Sequence, residues 1–127
     1  MKKIFIASCA MLSITNALAQ SKAEFSCNTE KHTILVDKVD ASTYRYRSWN
    51  KPKSIDTKPD MELKSKDVSI DGTGVCRTTN YSFKVGKVEF KLDNNIDCVE
   101  GKPPANAIGN LHVLMNGEEK NHYYCLK

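Results

Sequence analysis

Apolar and polar positions along this chain repeat mostly with a period of two. Tyr44 and Tyr46 alternate with Arg45 and Arg47, Met61 and Leu63 with Glu62 and Lys64, and Val68 and Ile70 flank Ser69. Tyr81, Phe83 and Val85 alternate with Ser82 and Lys84, and Val88, Phe90 and Leu92 alternate with Glu89 and Lys91. Successive side chains of a strand point to opposite faces, so this pattern predicts strands with one buried and one wet face. Further strands are expected over 24–27, 33–39, 111–115 and 119–126, and no stretch of ten or more residues carries a helical stripe. The fold class predicted is all-β: one small antiparallel sheet domain, either barrel or sandwich.

Turn chemistry separates the strands. Asn116-Gly117 predicts a two-residue hairpin turn of type I′, because both of its central residues need positive φ. Gly86 predicts a second hairpin in which glycine supplies the left-handed residue of a bulged turn. Asp71-Gly72-Thr73-Gly74 gives another break, and two longer irregular pieces, 50–60 and 93–110, carry the proline pairs Pro52, Pro59 and Pro103, Pro104. Loops of that length without periodicity are functional or mobile.

Residues 1–19 break the alternation. Lys2 and Lys3 precede an apolar run from Ile4 to Ile14, and Ala17-Leu18-Ala19 supplies small residues before Gln20, the pattern of a cleaved secretory signal. A rival lipoprotein-type cut at Ile6-Ala7-Ser8-Cys9 would leave an apolar region of only Ile4 to Ser8, shorter than such regions run. The expectation is a signal over 1–19, an all-β domain over 20–127, and an exported, periplasmic location. No apolar segment reaches the roughly 20 residues a membrane-crossing helix needs, so no membrane insertion is expected.

Export changes the meaning of the cysteines. Cys27, Cys76, Cys98 and Cys125 lie beyond the cut, where an oxidising compartment favours pairing into two disulfides; spacing leaves three connectivities open. A single domain of this size buries a modest core that crosslinks would help to hold. The charge of +4 falls to +2 without Lys2 and Lys3, 17 Lys and Arg against 15 Asp and Glu. Such a near balance gives no support for nucleic-acid binding.

Candidate chemistry is thin. No Cys-x-x-Cys pair is present, which removes the usual zinc-ribbon and thioredoxin spacings, and there is no Gly-x-Ser-x-Gly elbow or phosphate-binding glycine loop. An unbulged turn at Asn116-Gly117 would set His112 opposite Asn121 and send His112 and His122 to opposite faces, so they would not share a metal. No catalytic residue, metal or cofactor is expected, and the chain does not read as an enzyme. The residues that stand out are of interface type: the segment 44–53 holds Tyr44, Arg45, Tyr46, Arg47, Trp49 and Lys51, rich in the side chains that carry binding energy in protein interfaces. The partner-binding residues expected are Arg45, Arg47, Trp49 and Lys51, with the loop 97–110 as a second candidate surface.

Phe25-x-Cys27, Tyr44-Arg45-Tyr46, Gly74-x-Cys76, Tyr81-x-Phe83, Gly86-x-x-x-Phe90, Gly109-x-Leu111-x-Val113, Asn116-Gly117 and a terminal Cys125 together resemble a loose family of small exported all-β bacterial proteins. In that family the first and last cysteines recur as a pair, and the pairing expected here is Cys27 with Cys125 and Cys76 with Cys98. In form the chain is also similar to periplasmic lysozyme inhibitors and to immunity proteins of type VI secretion. The Ser-Gly motif of the lysozyme inhibitors is absent, and a slightly basic chain is poorly matched to a cationic lysozyme. The function expected is a periplasmic protein-binding module, an immunity or inhibitor protein that blocks a secreted toxin or cell-wall hydrolase. The alternatives are a small-molecule or envelope-polymer binding protein and a structural envelope component.

Overall fold

The computed structural model describes residues 22–127, and the expected signal over 1–19 lies outside them. Nine strands follow in chain order: β1 (Phe25–Asn28), β2 (His32–Lys38), β3 (Tyr44–Asn50), β4 (Met61–Ser65), β5 (Val68–Asp71), β6 (Thr78–Val85), β7 (Val88–Asp93), β8 (Ala107–Met115) and β9 (Glu118–Leu126). All pairings are antiparallel, and they make one sheet in the order β4-β3-β2-β1-β9-β8-β7-β6-β5. A single 3₁₀ turn at Gly74–Cys76 is the only helical piece among the described residues. The period-two segments all become strands, and both predicted disulfides are present, Cys27–Cys125 and Cys76–Cys98.

The sheet curls on itself without closing. Its inner face carries Phe25, Cys27, Ile34, Val36, Tyr44, Tyr46, Leu63, Tyr81, Phe83, Phe90, Leu92 and Leu111, which form the core. Rings from the two halves meet across that core: Tyr46 lies 5.5 Å from Phe83 and 5.3 Å from Phe90, and Tyr44 lies 5.6 Å from Tyr81. A right-handed twist accumulated over nine strands brings distant strands face to face, and burial of aromatic surface holds them there. At one end the two outer strands are tied by the short link 66–67, whose Asp67 carbonyl accepts a hydrogen bond from the Ser82 amide at 3.0 Å. Burial raises the Tyr46 phenol to about 12, and the Tyr81 phenol is also pushed up, so neither ionises in the ordinary range.

The join between the halves is thin. β1 meets β9 at a single register pair, Asn28 with Leu126, while the buried Cys27–Cys125 bond crosses the same seam with Cα atoms 4.4 Å apart. Nearby, Gly109 is required by space: a Cβ there would lie 2.1 Å from the Asp93 carbonyl oxygen and 2.7 Å from the Phe25 ring. Gly109→Ala is therefore expected to destabilise the fold by about 1–3 kcal/mol through overpacking, read as a lower urea midpoint with an unchanged slope.

Both hairpin turns differ from expectation in where they bulge. Val85 pairs with Val88, so Gly86, at φ 59°, sits in a two-residue turn without a bulge. Asn116 (φ 54°) and Gly117 (φ 81°) form the expected positive-φ turn, but pairing then jumps from Leu114–Glu119 to Val113–Asn121 and leaves Lys120 bulged out. One extra residue inverts the parity of the strand beyond it. His112 consequently faces His122, and the two rings stack on the outer face instead of pointing to opposite sides.

Candidate functional site: the open mouth of the curled sheet

At the end opposite the 66–67 link, the two halves of the sheet stand apart around a cavity of about 380 Å³. One half contributes His32 and Ile34 of β2, Tyr46, Ser48 and Asn50 of β3, and Asp60 and Met61 at the start of β4. The other contributes Phe90 of β7, Leu111 and Val113 of β8, and Asn121 and Tyr123 of β9. Its floor is apolar and its rim polar, the composition of a binding cavity, and its volume lies within the range of ligand pockets. A second depression of about 110 Å³, lined by Thr29, Glu30, Lys31, His32 and Tyr123, shares His32 and Tyr123 with the mouth.

Apolar surface continues beyond the cavity. Phe90 and Val113 are register partners inside it, and the next inner positions along the same strands are Val88 and Met115, with Val85 across from Val88. Val85 is 44%, Met115 46% and Tyr123 45% exposed, so apolar side chains carry on from the cavity onto the hairpin tips.

The rim is held rigidly by the loop 51–60. The Asn50 amide donates to the Asp60 carboxylate at 2.7 Å, the Asp60 amide donates to the Ser48 carbonyl at 2.8 Å, and Lys53 pairs with Asp60. The bond from the Asn50 amide, with the Lys53 ammonium next, holds the Asp60 carboxyl below the usual carboxylate range. Underneath the same loop lies Trp49, fully buried, its indole N–H donating to the Thr57 carbonyl at 2.8 Å.

This placement corrects the expectation for Trp49. Alternation sends its ring to the outer face, but the loop 51–60 folds over it, and no part of the ring is left for a partner to touch. Arg45 and Arg47 lie on that outer face and converge on buried Asp37: Arg45 makes two hydrogen bonds, at 3.0 and 2.6 Å, and Arg47 one at 3.5 Å. The bond to Asp37 raises the Arg45 pKa. Arg47 also stacks over Trp49 at 5.4 Å, and the Lys51 ammonium donates to the Thr29 carbonyl at 2.7 Å. Tyr44 and Tyr46 belong to the core. In the 97–110 loop Cys98 is bonded to Cys76, and Asn110 is buried, donating to the Asp93 carboxylate at 2.7 Å and the Asn95 carbonyl at 2.6 Å.

The structure thus gathers the predicted outer-face residues around an internal ion pair, while the mouth joins Tyr46, Ser48 and Asn50 of the 44–53 segment and Asp60 of the 50–60 piece to residues the sequence marked only as strand positions. Ile34, Met61, Phe90 and Val113 were legible as inner-facing; that they border open space depends on how far the sheet curls, which no local pattern encodes. Among the described residues no cluster of three or more His, Cys, Asp or Glu has metal-binding geometry. No helix of the described residues is long and apolar enough to cross a membrane. Set beside known protein families, curated proteins and solved structures, the chain matches none of them.

Proposed function

We propose that this chain is an exported, non-catalytic protein-binding module, an immunity or inhibitor protein that covers a secreted toxin or cell-wall hydrolase, and that its mouth receives the partner. The observation that carries the reading is the continuity of the apolar mouth with the exposed Tyr123, Met115 and Val85. That breadth suits a protruding segment of a protein better than a ligand confined to the cavity. A rigid, crosslinked sheet with a preformed concavity avoids much of the ordering cost of association, and occlusion needs no chemistry from the inhibitor. Tyr123 is the anchor expected to matter most, being aromatic, half-exposed and shared by both depressions.

The test begins with capture from envelope extract and culture supernatant, followed by calorimetry with the purified partner. Tyr123→Ala is expected to weaken binding by more than about 1 kcal/mol, the size that marks a hot spot, while Lys51→Ala changes it little. Undiminished affinity in Tyr123→Ala together with a large loss in Lys51→Ala would return the contact to the 44–53 segment. A second reading, a small-molecule or envelope-polymer binding protein, is favoured by the cavity's volume alone; co-purification of a glycan or metabolite in place of one stoichiometric protein would select it.

A further inference from the structure

The bulge at Lys120 places two titratable rings directly behind the wall of the mouth. On β8, His112 lies between Leu111 and Val113; on β9, His122 lies between Asn121 and Tyr123; all four flanking residues line the cavity. Since neighbours in a strand point to opposite faces, the outer histidine pair and the inner wall are two sides of the same six residues of hairpin, 111–113 and 121–123. The rings stack at 4.8 Å between centroids with 18° between their planes.

Hydrogen bonding assigns the protons. His112 Nε2 faces the Asp93 carboxylate at 3.3 Å and Nδ1 faces the Glu119 carboxylate at 2.6 Å. Ionised carboxylates only accept, so two donors are needed to satisfy both contacts, and the pair of acids favours the imidazolium form of His112. Asn110 spends its amide hydrogens on Asp93 and the Asn95 carbonyl, which leaves its oxygen to accept from His122 Nε2 at 2.8 Å. His122 therefore carries a proton on Nε2, and adding a second, on Nδ1, would set two positive rings face to face once His112 is charged.

Every neighbouring element adds its charges to this balance. β7 brings Asp93 and, across from His112, Lys91; β9 brings Glu119 and the Tyr124 ring, edge-on to His122 at 4.8 Å; β8 brings Asn110. The Lys120 ammonium at the bulge pairs with Glu118 at 3.3 Å. Both acids in contact with the pair bind His112, so His122 has no carboxylate of its own among the described residues.

We propose that the His112–His122 stack couples proton uptake to the shape of the mouth: protonation of His122 parts the rings, shifts Asn121 and Tyr123 against Leu111 and Val113, and lowers the affinity of the mouth for its ligand. The direction follows from the surroundings. The bond to Asp93 raises the His112 pKa, with Glu119 adding to it against some burial, so His112 is charged first as pH falls. Burial, and then the charge of His112, hold the His122 pKa below the ordinary 6.5. A depressed histidine favours any state that restores its normal proton affinity, so acidification drives the stack open, and the effect is absent well above 6.5.

The affinity clause rests on the mouth being the binding site; the coupling itself is tested without any partner. In a pH titration followed by NMR, the Leu111 and Val113 methyl signals and the Tyr123 ring signals are expected to move with the midpoint of His122. They stay still in His122→Gln and in His122→Asn, and the His122 midpoint rises in His112→Gln, which lacks the opposing charge. Methyl signals that ignore the His122 titration, or that move equally in both His122 variants, would overturn the proposal. Coupled methyl signals with no partner ever found would leave it standing and count against the proposed function alone.

Discussion

Replacing Cys27 and Cys125 together by alanine is expected to remove about 4.7 kcal/mol of folding stability in the chain-entropy account of crosslinks, which scales with the length of chain enclosed. That length here is 98 residues, against 22 for Cys76–Cys98, whose removal is expected to cost about 3.4 kcal/mol on the same basis. Geometry sharpens the contrast. The first crosslink crosses the seam where β1 and β9 share one register pair, so losing it frees the two halves of the sheet from each other; the second ties a short 3₁₀ turn to a surface loop. Since a small domain's whole stability is about 5–15 kcal/mol, the Cys27/Cys125 variant is expected to be largely unfolded at modest urea concentrations where the parent is native. Unfolding curves that coincide to within 1 kcal/mol would mean that the seam is held by something other than the disulfide.

Trp49→Ala is expected to destabilise the fold by about 3–5 kcal/mol, the usual cost of truncating a large buried aromatic. The ring is fully buried, its N–H is bonded to the Thr57 carbonyl, and Arg47 lies over its face. Truncation would leave a cavity under the loop 51–60, an unpaired Thr57 carbonyl and a guanidinium without its stacking surface. Trp49→Phe, which keeps most of the apolar contact and loses the hydrogen bond, is expected to lose clearly less. Because the same loop carries Asp60, which lines the mouth and holds the Asn50 amide, its loosening should also raise hydrogen exchange at the mouth's rim. A Trp49→Ala protein as stable as the parent would show that the ring is exposed in solution, as its interface-rich sequence context suggests.

The strands were legible because polar residues alternate with apolar ones: Tyr81-Ser82-Phe83-Lys84-Val85 can send its apolar side chains to one face in one register only. The Asn116-Gly117 turn was legible for the same local reason, positive φ at both positions. What lay just past it was not. Whether Lys120 pairs or bulges is decided by packing across β8 and β9, and that one residue determined whether His112 and His122 diverge or stack. Trp49 shows a second limit: alternation gives the face of a side chain correctly but says nothing about what folds over it, here a proline-bearing loop anchored by Asp60. The charged side chains Arg45 and Arg47 read as a wet face because their partner, Asp37, is one strand away and its burial is a property of the assembled sheet.

These corrections move the candidate contact surface around the molecule. The outer face of β3 is committed to its own ion pair and indole, whereas the inner face of the splayed end offers an apolar floor, a polar rim and half-exposed hairpin tips. The most direct test is site-specific photocrosslinking to the captured partner, with a benzophenone side chain placed at Tyr123 in one protein and at Lys51 in another. Placement of the partner in the mouth predicts a crosslinked product from position 123 and little from position 51; efficient crosslinking from position 51 with none from position 123 would contradict it.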